Sequence, residues 1–242
     1  MRFLEKVLSA SEQDYLKNIY ALTHESGRAT TLALAERLGV KAPSVTAMIK
    51  HLADDPDGPY VSHTPYQGIE LTERGTAVAL EVVRHHRLLE LFLATQLEVP
   101  WDRVHAEAER LEHVISEDLE ERIAAKLGYP TRDPHGDPIP RRDGTLDDAG
   151  EVPLSAMGAG SCGIVARVPD EETALLQYLD QIGLVPGVTV VIETITPYGD
   201  VMSVRVGDDI HALGVQVTSR VQVLPAHDHD RSAAHGSKVS RR

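Results

Sequence analysis

Apolar residues recur at helical spacing in three successive segments near the start of the chain. These segments run from Ser11 to Gly27, from Leu32 to Leu38, and from Pro43 to Leu52. A proline in the first turn of the third segment favours a helix start there. Two short helices around a glycine turn are typical of a helix-turn-helix.

Period-two alternation follows between Tyr60 and Thr72, around a Pro/Gly turn, and predicts two strands that form a β-wing. A long helix begins directly after it. We therefore predict that residues 1–75 form a winged helix-turn-helix DNA-binding domain.

The rest of the chain predicts a mainly α protein with α+β parts. Long amphipathic helices are expected over 76–97 and 102–127, within a helical domain at 76–140. Proline, glycine and charge from Tyr129 to Gly150 indicate a linker, placed at 141–152. Short β-type runs over 163–168, 188–193, 202–206 and 215–223, with a helix from Glu171 to Ile182, predict a small β-barrel at 153–224. A polar tail at 225–242 is expected to be disordered.

Charge complicates the DNA-binding interpretation. The chain is 42% hydrophobic, 25% charged and carries a net charge of −13. Residues 1–73 hold seven Lys/Arg against ten Asp/Glu, a poor balance for binding phosphates. Divalent cations would each add two positive charges and reverse the local field. With one cysteine and no apolar run near the ~20 residues of a membrane span, we expect a cytoplasmic protein that does not bind membranes.

Histidines and carboxylates recur on the two central predicted helices. The set comprises His86, Glu90, His105, Glu109, Glu112 and His113. His86 and Glu90 are four residues apart and share a helix face, and the other four fall within an arc of roughly 100°. Six donors exceed the needs of one ion and suit two cations with mixed imidazole and carboxylate ligands. The alternative is a solvated face of a Glu-rich helix.

The segments 86–90 (HRLLE), 104–113 (VHAEAERLEH) and 134–140 (PHGDPIP) resemble motifs of the diphtheria toxin repressor family of metal-dependent regulators. The resemblance extends over residues 9–224. It implies the same domain order, with a helical dimerisation and metal-binding domain at 76–140 and a C-terminal SH3-like β-barrel at 153–224. It also implies a homodimer and two metal ions per subunit.

The resemblance also implies a ligand set. A primary site would use Asp14, Glu109, Glu112 and His113. An ancillary site would use His86, Glu90, His105 and Glu171. A further barrel ligand would fall at Ala174, which cannot ligate, and Glu172 is a substitute if the alignment shifts by one residue.

Two positions separate iron-type members from manganese-type members. Carboxylates at Asp14 and Glu109 stand where iron-type members have Met and Cys, and they resemble the manganese transport regulators. Lys17 occupies a position where such regulators can carry a Glu ligand. Asp14 has a structural alternative, because Ser11 and Asp14 have the spacing of a capping box.

The resemblance further implies residues that contact DNA. These are Thr31, Lys41, Pro43, Ser44, Thr46 and Lys50. Ala47 replaces a base-reading Gln of some members. The expected function is a Mn²⁺-dependent regulator, with Fe²⁺ as a second activator, that represses metal-uptake genes from a palindromic double-stranded operator.

Two other functions stay open on the sequence alone. One is a carboxylate-bridged di-metal enzyme, which normally draws paired Glu-x-x-His motifs from four long helices, whereas this chain offers two. The other is a metal-independent winged-helix dimer. We expect a regulator and not an enzyme.

Overall fold

The computed structural model describes residues 8–64, 68–147, 150–170 and 172–226. Backbone contacts divide the chain into two units. The first contains Met1–Phe92, Ala106–Thr131 and Ile139–Leu146, and the second contains Leu93–His105, Arg132–Pro138 and Asp147–Arg242. The boundaries placed at 75, 140, 152 and 224 on sequence grounds stay predictions.

The first unit opens with the predicted winged helix-turn-helix. Its elements are α1 (Ala10–Ser26), α2 (Thr31–Arg37), α3 (Ala42–Ala53), β1 (Val61–Thr64) and β2 (Gly68–Leu71). Gly27 ends α1 in the left-handed conformation, and the Thr30 side chain caps α2. Fully buried Leu16, Ile19 and Leu34 lie in one hydrophobic core with residues of α3 and β2.

The wing is anchored to the helices through the backbone. The amide of Ile69 donates to the carbonyl oxygen of Ala29 at 2.9 Å. Gly68 has φ +107°, and a Cβ there would lie 2.8 Å from that same oxygen. Only glycine therefore allows β2 to approach the α1–α2 connection so closely.

Three further helices are α4 (Glu73–Gln96), α5 (Trp101–Leu111) and α6 (Glu117–Lys126). The prediction of one helix over 102–127 is wrong, since the chain turns after Leu111. The Ser116 side chain accepts from the amide of Leu119 at 3.3 Å and starts a new helix. Leu88, Ala108 and Ile123 form a shared core at this break.

The second unit contains a six-stranded antiparallel sheet in the order β3-β8-β4-β5-β6-β7. Its strands are β3 (Val152–Pro153), β4 (Cys162–Arg167), β5 (Thr189–Ile195), β6 (Val201–Val206), β7 (Asp209–Gly214) and β8 (Gln222–Pro225). Between them lie α7 (Thr173–Gln181) and α8 (Val215–Thr218). Buried Ile192, Val204 and Leu213 lie in its core.

Three local predictions in this unit are wrong in whole or in part. The predicted strand over 215–223 begins as the short helix α8, and only its end pairs in the sheet. The segment from Tyr129 to Gly150 is not a plain linker, because His135 is 0% exposed and its carbonyl accepts from the amide of Val168 at 2.9 Å. The predicted disordered tail is wrong for its first two residues, because Pro225 ends β8 and the amide of Ala226 donates to the carbonyl of Cys162 at 3.0 Å; its remainder, 227–242, lies outside the described residues.

Within the described ranges, every helix is too short or too polar to cross a membrane.

Candidate metal centre

The carboxylate of Asp14 is not used to cap α1. The capping box consists of Ser9 and Glu12, which exchange hydrogen bonds of 2.8 and 3.3 Å. The alternative based on Ser11 and Asp14 is therefore wrong, because the helix starts two residues earlier. Asp14 lies in the second turn, where its side chain is available for another contact.

Asp14 meets the turn that follows α5. Its Oδ1 lies 2.9 Å from Nε2 of His113, and Oε1 of Glu112 lies 3.4 Å from the same nitrogen. Donor atoms of these three residues all lie within 4.8 Å of one another. Burial raises the pKa of Asp14, while His113 and Lys17 act to lower it. Glu112 and His113 thus join Asp14 from a turn, not from the helical face predicted for them.

His113 is oriented by a residue that the sequence analysis did not identify. Its Nδ1 lies 2.7 Å from Oε1 of Gln13, an acceptor, so Nδ1–H donates. That hydrogen bond leaves Nε2 as the nitrogen able to bind a cation. The sequence feature that could have identified Gln13 is its position directly before Asp14, a predicted ligand.

Glu109 and Glu112 are bridged by an ammonium group. Nζ of Lys17 lies 2.6 Å from a carboxylate oxygen of each. Burial alone would lower the pKa of Lys17, but the two carboxylates raise it. The ion pair with Glu112 is mostly desolvated, since the two side chains are 13% and 0% exposed, whereas the Glu109 side chain is 40% exposed. A cation thus already sits among the predicted primary ligands.

The other oxygen of Glu112 contacts α4. Its Oε2 is hydrogen-bonded to Nδ1 of His86, whose Nε2 lies 3.0 Å from Oε1 of Glu90. Burial would lower the pKa of His86, but Glu90 and Glu112 raise it to about 9. Burial acts to raise the pKa of Glu112, yet His86 and Lys17 together lower it. These charges stabilise one another inside the first unit.

These residues fit a divalent ion. Two groups of donors, one of Asp14, Glu112 and His113 and the other of His86, Glu109 and Glu112, each converge within 4.8 Å. Both combine imidazole nitrogen with carboxylate oxygen, a ligand type that first-row divalent metals accept. The positively charged Lys17 ammonium already lies among these carboxylates, which shows that the site attracts positive charge.

The second unit holds His105, whose Nδ1 lies 3.3 Å from a carboxylate oxygen of Asp170. Asp170 was not predicted, although it directly precedes Glu171. Glu171 itself lies outside the described residues. The proposed substitute, Glu172, accepts from Arg220 at 3.0 Å.

Five of the six predicted DNA-contacting residues lie on α3 or at its N-cap, and the sixth lies at the start of α2. Lys41, Pro43, Ser44, Thr46 and Lys50 are all exposed, as is Ala47, and Thr31 at the start of α2 is partly exposed. Val45 and Ile49 point into the core instead. The hydroxyl of Thr46 donates to the Ala42 carbonyl at 3.1 Å. This arrangement presents small polar groups and two lysines to a partner.

Family models cover nearly the whole chain. The N-terminal DNA binding domain of the iron dependent repressors matches residues 7–69, and their metal binding and dimerisation domain matches 72–141. The FeoA domain matches residues 152–225.

Similar proteins agree with these models. The chain is 36% identical over 221 residues to the iron-dependent repressor IdeR of Mycobacterium tuberculosis, covering 86% of this chain and 94% of that protein. A solved manganese-dependent transcriptional repressor in complex with manganese shares 37% identity and a TM-score of 0.82, covering 89% of this chain and 100% of that one. The crystal structure of T. acidophilum IdeR shares 29% identity and a TM-score of 0.76, covering 91% of this chain and 100% of that one.

Replacing Lys17 should separate metal affinity from stability. We expect Lys17→Met to destabilise the metal-free protein by about 3 kcal/mol, because buried Glu112 loses a partner. The same change should tighten Mn²⁺ binding about tenfold or more, because a competing cation is gone. Calorimetric titration and thermal unfolding measure the two effects. Lys126→Met, at an exposed lysine, is the control. Unchanged Mn²⁺ affinity in Lys17→Met would contradict this role.

The stability of the metal-free protein should depend on pH through His86. Its pKa is raised from 6.5 to about 9 in the folded state. The stabilisation is therefore complete below the unfolded-state pKa and is lost as pH rises through the folded-state pKa. In chelator, the free energy of unfolding of wild type should fall between pH 6.5 and 9. His86→Gln should show a clearly smaller decline, with the remainder coming from His85, whose pKa is also raised, whereas exposed His24→Gln should keep the full decline. Equal declines in both variants would refute the assignment.

Proposed function

The chain belongs to the iron-dependent repressor family, and from this we propose that it is a manganese-activated repressor of metal-uptake genes. The family comprises metal-dependent DNA-binding transcriptional repressors, with matches here named for iron and for manganese. We further propose that it acts in the cytoplasm, as a homodimer on a palindromic operator, with two ions per subunit.

One contact carries the proposal. Asp14 belongs to α1 of the DNA-binding domain, whereas His113 belongs to the metal-binding and dimerisation domain, and their side chains lie 2.9 Å apart. A bound ion would supply positive charge and fixed coordination directions at this junction. Asp14, Glu112 and His113 would hold it, and they would thereby fix α1 against the turn after α5.

The consequence for DNA follows from geometry. In a dimer, two α3 helices must match half-sites about one DNA turn apart. Any restriction on α1 restricts α3, since Leu16 and Ile49 belong to one core. A ligand that binds better to the DNA-competent arrangement shifts the population toward it. The same ion offsets part of the negative charge of residues 1–73.

The preference for Mn²⁺ is supported by ligand hardness. Asp14, Glu109 and Glu112 offer oxygen and His113 offers nitrogen, with no sulfur among these predicted ligands. Oxygen-rich sites suit Mn²⁺, and thiolate or thioether would favour softer ions. Fe²⁺ is the expected second activator. The second ion is proposed for the ancillary set of His86, Glu90, His105 and Glu171. Within this set His86 lies 3.0 Å from Glu90, while Asp170, the residue before Glu171, lies 3.3 Å from His105.

Operator binding should require metal. Wild-type protein should bind a palindromic promoter fragment in Mn²⁺ and release it in excess chelator, measured by fluorescence anisotropy. Glu112→Ala combined with His113→Ala should abolish the Mn²⁺ response, because both donors facing Asp14 are removed. Glu107→Ala is the control, since this carboxylate pairs with Arg110 on the helix surface. Tight specific binding that persists in chelator would overturn the proposal.

Metal selectivity should depend on the donor atom that residue 109 supplies. We expect Glu109→Cys to shift the response from Mn²⁺ toward Fe²⁺ and softer ions by about tenfold, because a thiolate replaces an oxygen donor. Anaerobic promoter occupancy against free Mn²⁺, Fe²⁺ and Zn²⁺ tests this, with Glu107→Cys as the matched variant on the same helix. A wild type that ignores Mn²⁺ while responding to Fe²⁺ or Zn²⁺ would disprove the manganese assignment.

A further inference from the structure

A second group of donors lies beside the metal centre and contains none of the predicted ligands. Glu81 and His85 are four residues apart on α4, and Glu117 is the first residue of α6. Donor atoms of these three residues lie within 4.8 Å of one another. Two neighbouring helices thus direct an imidazole and two carboxylates toward one point.

His85 distinguishes this group from an ordinary acidic surface. The residue is 6% exposed, and its Nδ1 lies 3.1 Å from the carbonyl oxygen of Glu112. A carbonyl can only accept, so Nδ1–H donates and the neutral ring carries its lone pair on Nε2. Metal-binding histidines usually donate their other ring N–H to a carboxylate, a backbone carbonyl or water, and His85 has a partner of the second kind.

The lone pair on Nε2 faces the carboxylates. This nitrogen is buried and has no hydrogen-bond partner within the described part of the chain. Carboxylate oxygens of Glu120 and Glu117 lie 3.3 and 3.5 Å from it. A positive charge is therefore favoured at Nε2. Burial acts to lower the pKa of His85, but the neighbouring Glu120 raises it, so a proton can take this place in the absence of metal and a metal ion would replace that proton.

Access and charge both favour an ion here. Glu81 and Glu117 are exposed, so an ion can enter from solvent. Glu120 is neutralised by Arg84, whose Nε lies 2.5 Å from its Oε1. The carboxylates of Glu81 and Glu117 therefore supply the negative charge that a divalent ion would balance.

We propose that Glu81, His85 and Glu117 bind a further divalent first-row transition-metal ion. The imidazole nitrogen favours this class over Mg²⁺ or Ca²⁺, which prefer oxygen ligands alone. Three protein ligands leave positions open for water. The site is separate from the two ions of the proposed function and does not depend on them.

The test compares two double variants of the full-length protein. Glu81→Gln with Glu117→Gln removes both carboxylates, and Glu107→Gln with Asp118→Asn removes two other surface charges on α5 and α6. Equilibrium dialysis against Mn²⁺ or Zn²⁺ alone should find one ion fewer per subunit in the first variant, and the wild-type number in the second. Mn²⁺-dependent operator binding should survive in both, so failure here and failure of the proposed function give different results.

Anomalous diffraction tests directly whether the buried His85 binds the ion. Crystals grown with Zn²⁺ should show an anomalous peak about 2.1 Å from Nε2 of His85. His85→Gln should lose that peak while retaining the others. An equal ion count in wild type and Glu81→Gln/Glu117→Gln, or a map with His85 paired to Glu120 and no peak, would overturn the proposal.

Discussion

The structure of the first unit depends on the burial of one carboxylate, that of Glu112. Its side chain is 0% exposed, and an uncompensated buried charge would cost several kcal/mol. Compensation comes from His86 on α4 and Lys17 on α1, which bond to different oxygens. The carbonyl of the same residue orients His85. The Glu112 carboxylate therefore links α1, α4 and the turn after α5. A change in one of its partners alters the packing of all three.

Sequence reasoning found the elements that depend on local patterns. The winged helix-turn-helix was predictable because Gly27, Thr30 and Pro43 mark its helix ends and the wing alternates in period two. Exposure of Lys41, Ser44 and Thr46 likewise follows from their positions relative to buried Val45 and Ile49. Ligand types were predictable because histidines and carboxylates recur at helical spacing.

What the sequence did not predict depends on competition between similar local signals. Two capping boxes fit the start of α1, and the choice of Ser9 over Ser11 freed Asp14. Helix-forming residues continue past Leu111, so only the Ser116 cap marks the break that places Glu112 and His113 in a turn. Strand β7 was missed because five of its six residues are exposed or half-exposed, with only Leu213 buried, so that it gives no apolar run. Partners such as Lys17 with Glu109, 92 residues apart, arise only from tertiary packing.

The position of Lys17 affects how a sensor threshold is set. A free cation competes for a site according to its concentration in the surroundings. The Lys17 ammonium is tethered, so its effective concentration at Glu109 and Glu112 is fixed by chain geometry and does not change on dilution. The metal concentration needed to fill the site therefore depends on which side chain occupies position 17. Exchange of one side chain at that position would recalibrate the response without altering a single coordinating atom.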